Sequence, residues 1–255
     1  MDHFDTIFCA GVHQKIENEQ TEAVYGLPAK ICVEAGYPLI DEMREKYAES
    51  EHKVNTRKKI LIAPSWQKEN IIDSCLEQLL DALKQTDCEI IVRPHPQEVR
   101  LKKEYMESLK QKYEPDGIEI QTDFSSNNPV MEADLLITDW SDISWEYAFT
   151  TLRPVMYINT PMKVMNPEWQ KIEYPPLNIF LRDQLGKSLD VDQLDKAAET
   201  AQYLLENTDA YREKINALAY EYIYNLGSSS EAGAKYIIKA VQNKIKMKGN
   251  KKNEK

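Results

Sequence analysis

A doubly wound parallel α/β domain over residues 59–245 is what this sequence predicts. Between Lys59 and Ile158, short apolar runs alternate with stretches whose apolar residues recur every three or four positions. The runs are continuous rather than alternating, as in strands covered on both faces. Several stop abruptly at a proline or a short polar turn. That leaves loops at the strands' carboxyl ends, where open α/β sheets hold ligands.

The chain opens with a smaller island over residues 1–41. Thr6 to Ala10 reads as a strand, Gln14 to Tyr25 as a helix and Ile31 to Glu34 as a second strand, with Gly36 to Asp41 turning out of it. Two strands and a helix do not bury a core alone, so the island is expected to complete another structure or to pack on the main domain. Residues 42–58 form a charged, glycine-free linker. In the main domain, Ile60 to Ala63 is a strand closed by Pro64, and Ile71 to Leu83 carries one apolar helical face. Glu89 to Val92 is the next strand, ended by Arg93-Pro94-His95-Pro96. A helix near Val99 to Lys112 and a strand at Ile118 to Ile120 follow. Asp134 to Thr138 and Pro154 to Ile158 flank a helix from Ile143 to Thr150, which brings the parallel sheet to five strands. Residues 160–180 hold four prolines and read as an irregular loop; from Val191 onward the chain reads as helical, with breaks near Asn207 and Gly227. Residues 246–255 are a basic tail, either a disordered solubilising end or a brush against anionic lipid.

Composition narrows the function classes. The 255 residues are 42% hydrophobic with a net charge of -10, a globular balance that argues against a nucleic-acid partner. Cys9, Cys32, Cys75 and Cys88 are scattered, with no C-x-x-C pair, and each lies in an apolar segment. A reducing, cytoplasmic location is expected, with peripheral contact at the inner membrane face as the extension the basic tail suggests. The first residues lack a signal peptide's pattern, and no run approaches the length of a membrane span. The eight glycines form neither G-x-G-x-x-G nor G-x-x-x-x-G-K-[ST]. Metal-ligand spacing and a Ser-His-Asp set are also missing, so no cofactor and no metal are expected.

Three motifs fall at strand ends. In Ala63-Pro64-Ser65-Trp66-Gln67-Lys68, Ser65 is either a helix cap or part of a ligand loop. In Arg93-Pro94-His95-Pro96, two prolines lock the backbone around one histidine, placing it to donate to a phosphate or act as a general acid. Its alternative is a turn histidine bonded to backbone. Thr138-Asp139-Trp140-Ser141-Asp142-Ile143-Ser144-Trp145-Glu146 is a strand, a tight turn and a helix start, a geometry that aims backbone N–H groups at an anion. Ser141 or Asp142 also serves there as a simple cap. Asn225 to Ser230 reads as a helix break with a glycine C-cap and a serine N-cap.

RPHP at 93–96, LITDWSDISWEYAF at 136–149, RPVMYI at 153–158 and YNLGSSS at 224–230 together resemble the CDP-glycerol glycerophosphotransferases. That family builds teichoic-acid-type surface polymers on a two-lobed GT-B fold. APSW at 63–66 resembles its aromatic turn, and GYPLID at 36–41 the turn closing its first lobe. The resemblance implies a C-terminal lobe that binds CDP-glycerol or another nucleotide-linked donor. His95 would be the catalytic group facing the pyrophosphate, Ser141 and its turn would contact phosphate, and Glu146 would lie near the ribose. Ser65, Arg93, Thr138, Asp142 and Ser144 complete the implied donor-binding set. The implied reaction is attack of a polymer or lipid-linked hydroxyl acceptor on the donor, the nucleotide leaving. Two residues depart from the family pattern: Asp142 stands where a second serine is usual, and Gln67 where arginine is common. The tryptophan-histidine-glycine motif of the first lobe has no counterpart, and His13 sits past the strand that would follow it. The chain thus resembles the end of one lobe plus a whole second lobe, an incomplete enzyme served by a missing lobe or a neighbouring copy. A nucleotide-sugar 2-epimerase and a non-catalytic nucleotide-binding module are the rival expectations.

Overall fold

The computed structural model describes residues 4–50, 56–125 and 128–253. Contacts divide the chain into two units, residues 46–167 with 177–217, and residues 1–45 with 168–176 and 218–255. The two strands of the smaller unit are β1 (Thr6–Cys9) and β2 (Ile31–Glu34). The larger unit contains β3 (Lys58–Ile62), β4 (Cys88–Val92), β5 (Ile118–Ile120), β6 (Leu135–Thr138), β7 (Val155–Asn159) and β8 (Gly186–Asp190).

The larger unit is one parallel sheet in the order β5-β4-β3-β6-β7-β8. Its central strands bury both faces, which is why they read as unbroken apolar runs. Ile60, Ile62, Val92, Ile137 and Met156 join one core with Leu76, Leu79, Leu80, Met106, Ala201 and Leu204 of the covering helices. Leu61, Leu136 and Tyr157 alternate to the opposite side and are also buried. The expected five strands are present. The sixth, β8, was not foreseen. Its sequence Gly-Lys-Ser-Leu-Asp has no apolar run, because an edge strand paired only to β7 needs little apolar surface. Gly186 is required there, since a Cβ would come within 1.7 Å of the Val155 carbonyl oxygen. Two expected helices are each divided in two, at Cys75 and at Lys102.

The smaller unit pairs β1 with β2 in parallel around the helix Val12–Tyr25. The chain's C-terminal part, expected with the main domain, packs on this island instead. Tyr224 N donates to the Ala10 carbonyl at 2.9 Å, and Asn225 Nδ2 to the Glu34 carbonyl at 2.6 Å. Close approach is possible because residue 11 is glycine: a Cβ there would lie 1.7 Å from Tyr222 O. The Asp41 carboxylate accepts from Gly227 N and Ser229 N, so it caps the last helix, Ser229–Asn253, from a distant segment. A serine cap was expected. Asp41 is itself in the helix Pro38–Glu49, which replaces the expected turn and the first part of the linker; residues 51–55 of that linker lie outside the described residues. The basic end continues the last helix to Asn253.

His13 is 7% exposed, and burial lowers its imidazole to about 4. The unfolded chain therefore takes up this proton first as the solution is acidified. Its stability contribution is complete above about pH 6.5 and disappears as the pH falls through about 4. Between pH 7.5 and 4.5 this group should account for about 2–3 kcal/mol of lost stability. Urea unfolding followed by circular dichroism at both pH values should show that loss, and His13→Gln should remove most of the difference. An equal acid loss in the variant would show that other groups carry it.

Candidate functional site

The site lies where β4, β3, β6 and β7 end side by side. Ile62 of β3 is in register with Val92 on one side and Ile137 on the other, so the loops after them start level. His95 and Ser141 therefore lie beyond the same sheet edge, two strands apart, or about 10 Å of lateral spacing.

Asp139 organises these loops. It is fully buried, and Oδ1 accepts from Ser65 N at 2.7 Å and from its neighbour Trp140 N at 2.8 Å. Oδ2 accepts from Ile71 N at 3.1 Å. One carboxylate thus ties the end of β6 to the whole loop after β3. Asn70 completes that loop: its Oδ1 accepts from Ile72 N and Asp73 N, and its Nδ2 donates to Ser65 O. Asn70, not Ser65, is the helix cap.

His95 caps the helix Pro96–Leu101, with Nδ1 accepting from Gln97 N at 3.2 Å. Pro96 suits the first helical position because it has no N–H to satisfy. An acceptor Nδ1 leaves the hydrogen of the neutral ring on Nε2, so that second nitrogen is a donor. Burial, followed by the charge of Lys163, lowers the His95 pKa against the opposing pull of Glu98. The Trp66 ring stacks on His95 at 5.8 Å between centroids and 19° between planes, and Trp66 is 48% exposed.

The loop after β7 closes the other side. Gln67 Nε2 donates to Pro161 O at 3.1 Å, and Trp140 Nε1 donates to Thr160 O at 2.8 Å. These bonds bring Lys163 toward the Trp66–His95 stack. Arg182 is buried beneath, donating to Asp139 O and Asn159 Oδ1, with its guanidinium 4.0 Å from the Trp140 ring centroid and 4.5 Å from that of Tyr157. Asp139, Lys163 and Arg182 were not singled out from sequence. Asp139 sits inside a quoted motif, but the other two lie beyond β7 in segments without a distinctive pattern.

The expected site residues divide by accessibility. Ser65, Thr138 and Ser144 carry buried side chains. The Thr138 hydroxyl is committed to Ala63 O at 2.6 Å. Arg93 is half-buried, donates to Gln121 Oε1 and lies 5.5 Å from the Phe124 ring centroid, toward the β5 side. Asp142 is exposed and accepts from Trp145 Nε1 at 3.2 Å, so its side chain does not cap the helix Ile143–Thr151. Ser141 and Glu146 are half-buried at that helix start, with Ser141 Oγ 3.5 Å from Ile143 N.

The sequence profile described as CDP-Glycerol:Poly(glycerophosphate) glycerophosphotransferase matches residues 4–168. The chain belongs to this family. No curated protein sequence matches it. Among solved structures, the wall teichoic acid polymerase TagF is similar at 18% identity and a TM-score of 0.58, covering 96% of this chain and 58% of that one. A TagF histidine-to-asparagine variant soaked with CDPG is similar at 19% identity and a TM-score of 0.57, covering 94% and 57%. At these identities the likeness establishes the fold, and this chain has the GT-B type of α/β fold. It spans a little under three fifths of the length of these structures.

Proposed function

We propose that this chain binds the donor side of a glycerophosphotransferase reaction, with CDP-glycerol as the donor and a hydroxyl of a surface polymer as the acceptor. The observation that carries this reading is the cluster of His95, Trp66 and Lys163 at the strand ends of a chain from this family. His95 Nε2–H and the Lys163 ammonium supply a donor and a charge for a pyrophosphate. The start of the helix Ile143–Thr151 adds the positive end of its dipole beside Ser141. Glu146, near that start, would accept from ribose hydroxyls.

In the reaction, the acceptor oxygen forms a bond to the glycerol-bearing phosphorus as the pyrophosphate P–O bond breaks. CMP leaves with that electron pair, and the acceptor's proton passes to a base that this cluster does not supply. His95 and Lys163 stabilise the charge growing on the leaving phosphate, an electrostatic contribution. Peripheral work at a membrane and completion by a further lobe or a neighbouring copy belong to the same reading.

Titration calorimetry of the purified chain should detect CDP-glycerol and CDP but not UDP-N-acetylglucosamine. Lys163→Ala should weaken CDP-glycerol by about fivefold to tenfold, as for a half-buried charge near a phosphate, and make binding less sensitive to salt. Absence of heat with both cytidine ligands would overturn the reading.

A further inference from the structure

We propose that the last helix, Ser229–Asn253, is a docking surface for an anionic lipid membrane. Its first turns are attached to the smaller unit. Tyr236 meets the Phe8 ring edge-on at 5.7 Å between centroids, and a Cβ at Gly233 would lie 3.7 Å from the same ring. Ala232 and Tyr236 are correspondingly half-buried.

Another face of the helix is apolar and uncovered. Ile237, Ile238, Val241 and Ile245 are 53%, 57%, 52% and 65% exposed. At the α-helical turn per residue they fall within an arc of about 100°, roughly opposite Ala232 and Tyr236. Four branched aliphatic side chains in one stripe are more than the scattered apolar exposure of an ordinary surface.

Charge identifies the occupant. Between Ala232 and Asn253 the sequence has seven lysines and no acidic residue, in a chain whose net charge is -10. Lys239, Lys244 and Lys246 are exposed, and at the same turn per residue Lys244 flanks the stripe. A second copy laid on this face would oppose lysine to lysine. An anionic bilayer satisfies both features, since the aliphatic stripe enters the headgroup boundary while the lysines meet lipid phosphates. Each lysine near such a surface is worth about fivefold in affinity. No helix among the described residues is long and apolar enough to cross a membrane, so the helix would lie in the interface plane.

Sedimentation of the full chain with vesicles tests this. It should bind vesicles of phosphatidylcholine mixed with phosphatidylglycerol at least about tenfold more tightly than phosphatidylcholine alone, and high salt should release it. The variant Ile237→Gln/Ile238→Gln/Val241→Gln/Ile245→Gln keeps every lysine and uses a good helix former. It should retain the circular dichroism of the parent and lose about tenfold or more of the vesicle affinity. Unchanged binding by that variant would overturn the proposal, as would equal binding to both vesicle types. Failure to bind vesicles, with a dimer in gel filtration that the variant dissolves, would assign the stripe to a second copy instead.

Discussion

Asp139→Ala should destabilise the larger unit by about 3–5 kcal/mol, the largest stability effect expected of any single substitution in the site. The carboxylate is fully buried and accepts from Ser65 N, Trp140 N and Ile71 N. Alanine leaves those donors without their acceptor in a place that water does not reach, at about 1–3 kcal/mol for each buried group. A further loss comes from Arg182, whose buried guanidinium is favoured by the nearby carboxylate charge. A domain of this kind has about 5–15 kcal/mol in all, so the variant stands near the limit of folding. Asp139→Asn keeps one acceptor oxygen but turns an amide N–H₂ toward a backbone N–H, and should fall between the parent and alanine. Urea unfolding followed by tryptophan fluorescence ranks the three proteins. An alanine variant within about 1 kcal/mol of the parent would mean that the loops after β3 and β6 hold without this carboxylate.

For ligand binding the largest effect is expected at His95, and two substitutions separate its two roles. Asparagine preserves a cap acceptor for Gln97 N, whereas alanine removes it at about 1 kcal/mol. Both remove the Nε2 donor aimed at the donor phosphate in the proposed reading. A hydrogen bond to a charged group is worth about 1.5–3 kcal/mol, so CDP-glycerol affinity should fall about 10- to 150-fold in both variants. Thermal melts should show His95→Asn close to the parent and His95→Ala lower by several degrees. If His95→Asn bound CDP-glycerol as the parent does, the imidazole would be a helix cap and nothing more.

The position of His95 was readable from its two prolines, and its capping role was implicit in proline at the first helical position. Its electrostatic surroundings were not readable. Lys163 comes 68 residues later in a loop with no regular pattern, and it approaches His95 only because Gln67 and Trp140 hold the loop after β7. The motif at 138–146 offered two aspartates of equal appearance. The fold turns Asp139 inward to backbone donors and leaves Asp142 exposed, a choice made by residues of another strand's loop.

By itself the sequence determined the parallel α/β class, the two strands of the island, the five apolar strands of the main sheet and the strand ends beyond which His95 and Ser141 lie. These follow from local physics: a strand covered on both faces must be apolar throughout, and proline stops it wherever it occurs. Only the tertiary structure decided that Gly186–Asp190 adds a sixth strand, that Ser65, Thr138 and Ser144 are buried, and that residues 218–253 return to the island. Each of those outcomes depends on contacts between residues far apart in the chain. Val155 lies 31 positions before Gly186, and Asp41 lies 188 before Ser229. A polar edge strand and a capping carboxylate supplied from elsewhere satisfy backbone hydrogen bonds through partners that leave no local pattern, so only the assembled fold reveals them.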